Sequence, residues 1–257
     1  MTTLRTYNNN NSPQYDLYRN MHQNQTLEFV KNKYEKYSKL NNMRMSIKDA
    51  LGLLDDFIDP SDPDVDSPNS IHAYQTAEFI RKFYPHDKEF QIIGLIHDLG
   101  KVLFSFGEPN WCVVGDTYVV GCEHPKSIVY YDSLRENSEF NKYDLLGIYK
   151  RGCGLDNLYI TFGHDMYLYE VLRQNTNHKI SQKGMNVIRY HSFYPWHQDG
   201  EYKQFMNIED EQTLEDVIHF NQYDLYSKST EDFILTDEIK KYYDELLDEY
   251  FVGDLQW

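Results

Sequence analysis

The stretch "QIIGLIHDLGKVLFSF", Gln91 to Phe106, sets the tightest condition on any fold this chain can adopt. Its apolar residues recur with helical spacing, which marks a buried helix. Yet His97 and Asp98 stand side by side within it. Burying an uncompensated charge costs several kcal/mol, so the surrounding structure must offset it. Neighbouring helix residues also point about 100° apart, so one helix face does not serve both. A carboxylate with its two oxygens can, however, bridge two cations. A dinuclear metal site beside this helix, spanned by Asp98, satisfies both conditions.

The rest of the chain supplies partners for such a site. Helical periodicity continues through "TLEFVKNKYEKYSKL", "SIKDALGLLDDFI" with Ser46 as its N-cap, "IHAYQTAEFIRKFY", "GHDMYLYEVLRQN", "SQKGMNVIRYHSFY", "TLEDVIHFNQYDLYSK" and "TDEIKKYYDELLDEYF". "WCVVGDTYVVGC" alternates β-branched residues around Gly115-Asp116 and predicts a β hairpin. The expectation is a mostly α, single-domain helical bundle over residues 1–257 with one small β hairpin. The asparagine run Asn8–Asn11 makes residues 1–20 a partly mobile N-terminal segment. Between helices, "DPSDPDVDSPNS" (Asp59 to Ser70) carries too many prolines and acids for regular structure and reads as a loop.

Histidines and aspartates fall on successive expected helices in a fixed order: His72, then His97 with Asp98, then His164, His191 and Asp224. A single core histidine is usually satisfied by a backbone carbonyl. An ordered set of this kind is better explained by metal ligation. Nitrogen and carboxylate donors without thiolate suit iron, manganese or zinc alike. Asp165 fits a helix-dipole role, and His197 a place behind the ligands or at the surface. His22, His86, His124, His178 and His219 fall outside the pattern.

Charge narrows the partners. The net charge is −16 over 257 residues and the pI is near 4.9. That argues against nucleic acid or anionic membrane, both of which favour basic surfaces. No apolar run is long enough to span a membrane. Cys112, Cys122 and Cys153 lack CxxC spacing and read as reduced thiols of a cytoplasmic protein.

The segments "DPDVDSPNSIHAYQTAEFIRK", "GLIHDLGKVL", "FGEPNWCVVGDTYVVGC", "GHDMYLYEV", "RYHSFYPWH" and "FNQYDLYSK" closely resemble the myo-inositol oxygenases, within the helical HD-domain superfamily. The resemblance runs from about "LRTY" to Trp257. Glu123 departs from it, standing where a basic residue is expected. The resemblance implies an oxygenase that uses one O2 to cleave the ring of myo-inositol to D-glucuronate, a four-electron oxidation at a mixed-valent Fe(II)/Fe(III) pair. It implies His72, His97, Asp98 and Asp224 on one iron, and Asp98, His164 and His191 on the other, which keeps positions open for substrate. By the same resemblance Lys101 contacts a substrate oxygen and favours its deprotonated form. Arg5, Asp59, Ser61, Gly115, Asp116, Ser192 and Lys228 would contact the polyol hydroxyls, with His191 beside them. No protein partner is implied, and a monomer is expected. The competing reading is a metal-dependent phosphohydrolase of the same superfamily. It would need a basic phosphate pocket, whereas "DPSDPDVDS" and "VVGDT" are acidic.

Overall fold

Short polar caps start most of the helices. The computed structural model describes residues 12–61, 68–227 and 233–257. Ser12 accepts from Tyr15 N at 3.2 Å to start α1 (Pro13–Asn24), and Thr26 does the same for α2 (Leu27–Tyr37). α3 (Ile47–Leu53) opens on the expected Ser46, which closes a reciprocal capping box with Asp49. α4 (Asn69–Phe83) follows Pro68, and α5 (Lys88–Ile96) is capped by Asp87. Then come α6 (His164–Gln174), α7 (Gln182–Tyr190), the short α8 (Tyr194–His197), α9 (Ile208–Ser227) and α10 (Asp237–Tyr250). Within the N-terminal stretch expected to be partly mobile, Pro13–Asn20 is helical, and Leu17 and Tyr18 are buried.

The expectation of a mostly helical chain with one small antiparallel β element holds, but the strands lie elsewhere. β1 (Arg44–Met45) pairs with β2 (Leu255–Gln256), Arg44 opposite Gln256. Beside them Trp257 is fully buried and donates its indole N–H to Met45 O at 3.1 Å. The expected hairpin at Trp111–Cys122 does not form. Asn110–Cys112 makes a turn of 3₁₀ helix, and the extended residues beyond it bond to a distant segment: Thr161 N donates to Tyr118 O and Val120 N to Tyr159 O. Alternating β-branched residues specify an extended backbone but not its pairing partner.

Two close helix contacts position the site. α4 and α5 lie nearly in backbone contact because Gly94 has no side chain; a Cβ there would stand 3.2 Å from Ala77 Cα. After α5 the chain tightens into a 3₁₀ segment, Leu99–Phe106, whose Gly100 meets the first turn of α6. Helices α4, α5, α6, α7 and α9 surround one buried volume.

Candidate metal centre

Each ligand candidate sits near the end of a helix or on a helix face turned inward. His72 lies in the first turn of α4, His97 caps α5, His164 is the first residue of α6, and His191 caps α7. Asp224 projects from α9. Asp98, just past the end of α5 at φ −93° and ψ −2°, is no longer bound to the helical 100° offset. That exit from helical geometry lets His97 and Asp98 face the same volume. All six are buried, none more than 4% exposed.

The two oxygens of Asp98 face different groups. Oδ2 lies 3.5 Å from His97 Nε2 and 3.9 Å from His72 Nε2, and both of these approach Asp224 Oδ1, at 3.5 and 2.9 Å. Oδ1 lies 3.2 Å from His164 Nε2 and 3.6 Å from His191 Nε2. The structure brings all six predicted ligands together and places Asp98 between two subsets of them.

The hydrogen bonds behind the imidazoles fix their tautomers. His97 Nδ1 donates to Gly94 O at 2.9 Å, His164 Nδ1 to Val113 O at 2.8 Å and His191 Nδ1 to Ile188 O at 2.7 Å. A carbonyl can only accept, so each Nδ1 carries the proton and each neutral ring turns a lone pair inward. His164 Nε2 and His191 Nε2 are only 3.1 Å apart, with Asp98 Oδ1 beside them. Three acceptors converging without a donor repel one another unless a cation lies between them. On the other side His72, His97 and Asp224 form a second metal-capable group, their donor atoms within 4.8 Å of one another. The donor set therefore fits two cations, and the carbonyl-anchored rings match the usual second layer of a metal site.

Electrostatics agree. Burial pushes the Asp98 carboxyl up, but its charged neighbours, the Lys101 ammonium first, hold it well below its ordinary value. Burial lowers His97, yet Asp98 and Asp224 outweigh it and raise it, so its inward nitrogen sits where a positive charge, proton or metal ion, is favoured. At His191 burial, aided by His164 and His97, prevails and the ring is lowered. Lys101 is 4% exposed; burial disfavours its charge, but Asp59 and Asp98 raise it and keep it an ammonium. Lys101 Nζ lies 2.7 Å from Asp59 Oδ2 and 2.8 Å from Asp98 Oδ2. The 3₁₀ turn supplies this reach, placing Lys101 three residues after Asp98 on the same side.

Other expected contact residues gather nearby. Asp59 Oδ1 accepts from Ser61 N at 2.8 Å and Ser61 Oγ at 2.6 Å, so both join the Lys101 group. Ser192 Oγ lies 3.4 Å from His164 Nε2. Gly115 adopts φ +110°, with Met21 Sδ 3.1 Å from where a Cβ would be. Asp116 is bound by Tyr18, whose hydroxyl donates to Oδ1 at 2.9 Å and accepts from Asp116 N at 3.1 Å. Arg5 and Lys228 lie outside the described residues. His197 is buried behind the ligands, its Nε2 3.0 Å from His191 O. Asp165 is buried too, and desolvation raises its carboxyl.

Sequence reasoning missed Asn69, whose Nδ2 lies 3.2 Å from Asp98 Oδ2, and Asn221, which donates to His191 O at 3.2 Å. Asn221 carried a faint signal, three residues before Asp224 on one helix face. Asn69 reads only as an ordinary helix-start residue. Tyr18 gave no signal at all, since its partner is 98 residues away.

This arrangement defines a class: a mostly helical protein built around a buried histidine–carboxylate centre with room for two metals. The comparisons then narrow it. The profile of the family described as "Myo-inositol oxygenase" matches residues 13–257. The chain is 46% identical to "Inositol oxygenase" of Danio rerio over 247 residues, covering 95% of this chain and 88% of the relative. It is 46% identical to "Inositol oxygenase 1" of Arabidopsis thaliana over 94% of this chain and 79% of that one, and 43% identical to "Inositol oxygenase" of Homo sapiens over 95% and 86%. The chain belongs to the myo-inositol oxygenase family.

Proposed function

We infer that the chain is an inositol oxygenase, cleaving the ring of myo-inositol with O2 to D-glucuronate at a centre of two irons in the Fe(II)/Fe(III) state. The observation that carries the reading is the division of Asp98: one oxygen serves the His72, His97 and Asp224 side, the other serves His164 and His191. When bound, the irons supply Lewis acidity toward substrate hydroxyls and the redox capacity for O2 chemistry.

His72, His97, Asp98 and Asp224 would hold the first ion. Asp98, His164 and His191 would hold the second, and with one protein ligand fewer that side would be open to the polyol. Lys101, held as an ammonium between Asp59 and Asp98, donates to a substrate oxygen and stabilises its alkoxide form. It is too firmly protonated to act as a base. Protons released from hydroxyls have the Asp59 and Asp116 carboxylates as acceptors. Ser61 and Ser192 add hydroxyl donors, while Gly115 admits the backbone close to the ring. Arg5 and Lys228 complete the contacts in this reading. A neutral polyol carries no charge for a site to grip, so many directional hydrogen bonds must orient it. A site that leaves few of its polar groups exposed rejects analogues lacking a hydroxyl, because a buried donor or acceptor is then left unsatisfied.

Among the described residues no helix is long and apolar enough to cross a membrane. Three free thiols fit a cytoplasmic setting, and we take the chain as a single-domain monomer whose partner is the small-molecule substrate. The deciding experiment is O2 uptake by iron-loaded, partly reduced protein on adding myo-inositol, with glucuronate quantified in the same vessel. One glucuronate per O2 is expected. No uptake from protein with two irons and a verified mixed-valent state would overturn the reading, and phosphate monoesters would be tried next.

A further inference from the structure

The polar atoms around Asp98 are distributed unequally. Its Oδ2 accepts from Lys101 Nζ at 2.8 Å and from Asn69 Nδ2 at 3.2 Å. Its Oδ1 faces His164 and His191, whose N–H groups are committed to backbone carbonyls. Two donors therefore converge on the oxygen that faces His72 and His97.

Asn69 is 2% exposed, and its placement is anchored at the backbone: Asn69 N donates to Phe57 O at 2.7 Å. Its side-chain orientation follows from chemistry, since the flipped amide would set a carbonyl oxygen against the carboxylate. Among the described residues its Oδ1 makes no hydrogen bond. A buried amide kept only for packing would be costly with one end unsatisfied; here the satisfied end is on the bridging carboxylate.

A donor on a ligand carboxylate takes up lone-pair density that would otherwise go to the metal. It thereby favours the less charged, reduced ion on that side of the bridge. We propose that Asn69 is a positioning and tuning residue of the centre, whose amide holds Asp98 Oδ2 and biases the pair toward retaining one ferrous ion. The proposal rests on the two-iron reading above.

The test uses the iron-loaded full chain, titrated with ascorbate and with O2 while the mixed-valent state is followed by electron paramagnetic resonance. Asn69→Leu keeps the approximate volume and removes the donor. It is expected to retain two irons per chain while the mixed-valent fraction at a fixed ascorbate excess falls several-fold. Asn69→Asp replaces the donor with an oxygen that repels Oδ2 and is expected to lower that fraction further. Asn69→Ser, with a shorter hydroxyl donor, should recover part of it. If either Asn69→Leu or Asn69→Asp loads two irons and titrates like the parent, the proposal is overturned; the second variant serves if the first does not fold. A parent protein with no two-iron, mixed-valent signal would instead overturn the two-iron reading itself, which separates the two failures.

Discussion

At the scale of the residue, Asp98 answers the difficulty posed by its own sequence position. An ionisable pair in an apolar helix is costly only while its charge is uncompensated. Here the chain leaves helical geometry at Asp98, and its two oxygens meet histidines from four different helices. If Asp98 bridges two ions as proposed, removing it should abolish both metal positions. Asp98→Ala is expected to bind almost no iron by elemental analysis, whereas His164→Ala keeps about one ion per chain; two irons retained by Asp98→Ala would refute the bridging role. Lys101 is separable from metal binding because it touches the ligand set only through Asp98 and also grips Asp59. Lys101→Ala should keep two irons while kcat falls about 10²- to 10⁴-fold, the usual span for a group acting on proton position. Unchanged kcat would reduce Lys101 to a helix-end cation. The gathering of the six candidate ligands was legible in the sequence because metal chemistry restricts residue type and their order follows successive helices. Asn69 and Tyr18 were not, because an amide or phenol contacting a site across the fold looks like any other polar residue in one dimension.

At the scale of the element, helix existence was readable and local tightening was not. Apolar periodicity marked α5, but nothing in "HDLGK" shows that the α-helix stops at Ile96 and continues as 3₁₀ from Leu99. That change sets Lys101 on Asp98 and brings Gly100 against α6. The hairpin expectation failed for a related reason, since strand-like alternation in Trp111–Cys122 found its hydrogen-bond partners about forty residues later. Gly100 makes this element-level packing testable. A Cβ there would lie 1.8 Å from His164 O and 2.6 Å from His164 C, a conflict with backbone that no rotamer change relieves. Gly100→Ala should push α6 away, cost on the order of 3 kcal/mol or more in unfolding free energy, and release the ion proposed to bind at His164. Gly52→Ala is the control: its Cβ meets nothing within 4 Å inside α3, so stability should hold or rise by about 0.5–1 kcal/mol. Urea unfolding and iron content of the two variants check the pair; a Gly100→Ala protein as stable and iron-rich as Gly52→Ala would contradict the packing.

At the scale of the whole molecule, net charge and buried titration pull stability in opposite directions as pH falls. With 41 acids against 25 bases, lowering the pH from 7 toward the pI relieves self-repulsion and should stabilise the fold. The buried histidines oppose this. Burial lowers His22 to about 3 and His124 to about 4, both far below the value of about 6.5 they hold when unfolded. His22 is fully enclosed: its Nδ1 lies 2.6 Å from Ser133 Oγ, and its ring meets Tyr118 edge-on. Below about pH 6.5 the unfolded chain binds protons that the folded one refuses, so stability falls with pH, by about 1.4 kcal/mol per pH unit for each such group. Glu108 acts lower on the scale. Burial raises its carboxyl, but Lys33, Lys36 and Tyr37 outweigh it and hold it at about 2. Its contribution is present above about 4.5 and is lost only as pH falls from there toward 2. Acid sensitivity should therefore begin with the histidines. In urea unfolding between pH 6 and 4.5, with both proteins in the same metal state, His22→Asn should lower the slope of unfolding free energy against pH by nearly one proton. The metal ligands titrate alike in both proteins and cancel in the difference, so the comparison isolates His22 even if the substitution weakens the fold. An identical slope in the variant would mean that the folded protein protonates His22 as readily as the unfolded one, and acid sensitivity would then have to start elsewhere, at His124 or the candidate metal centre.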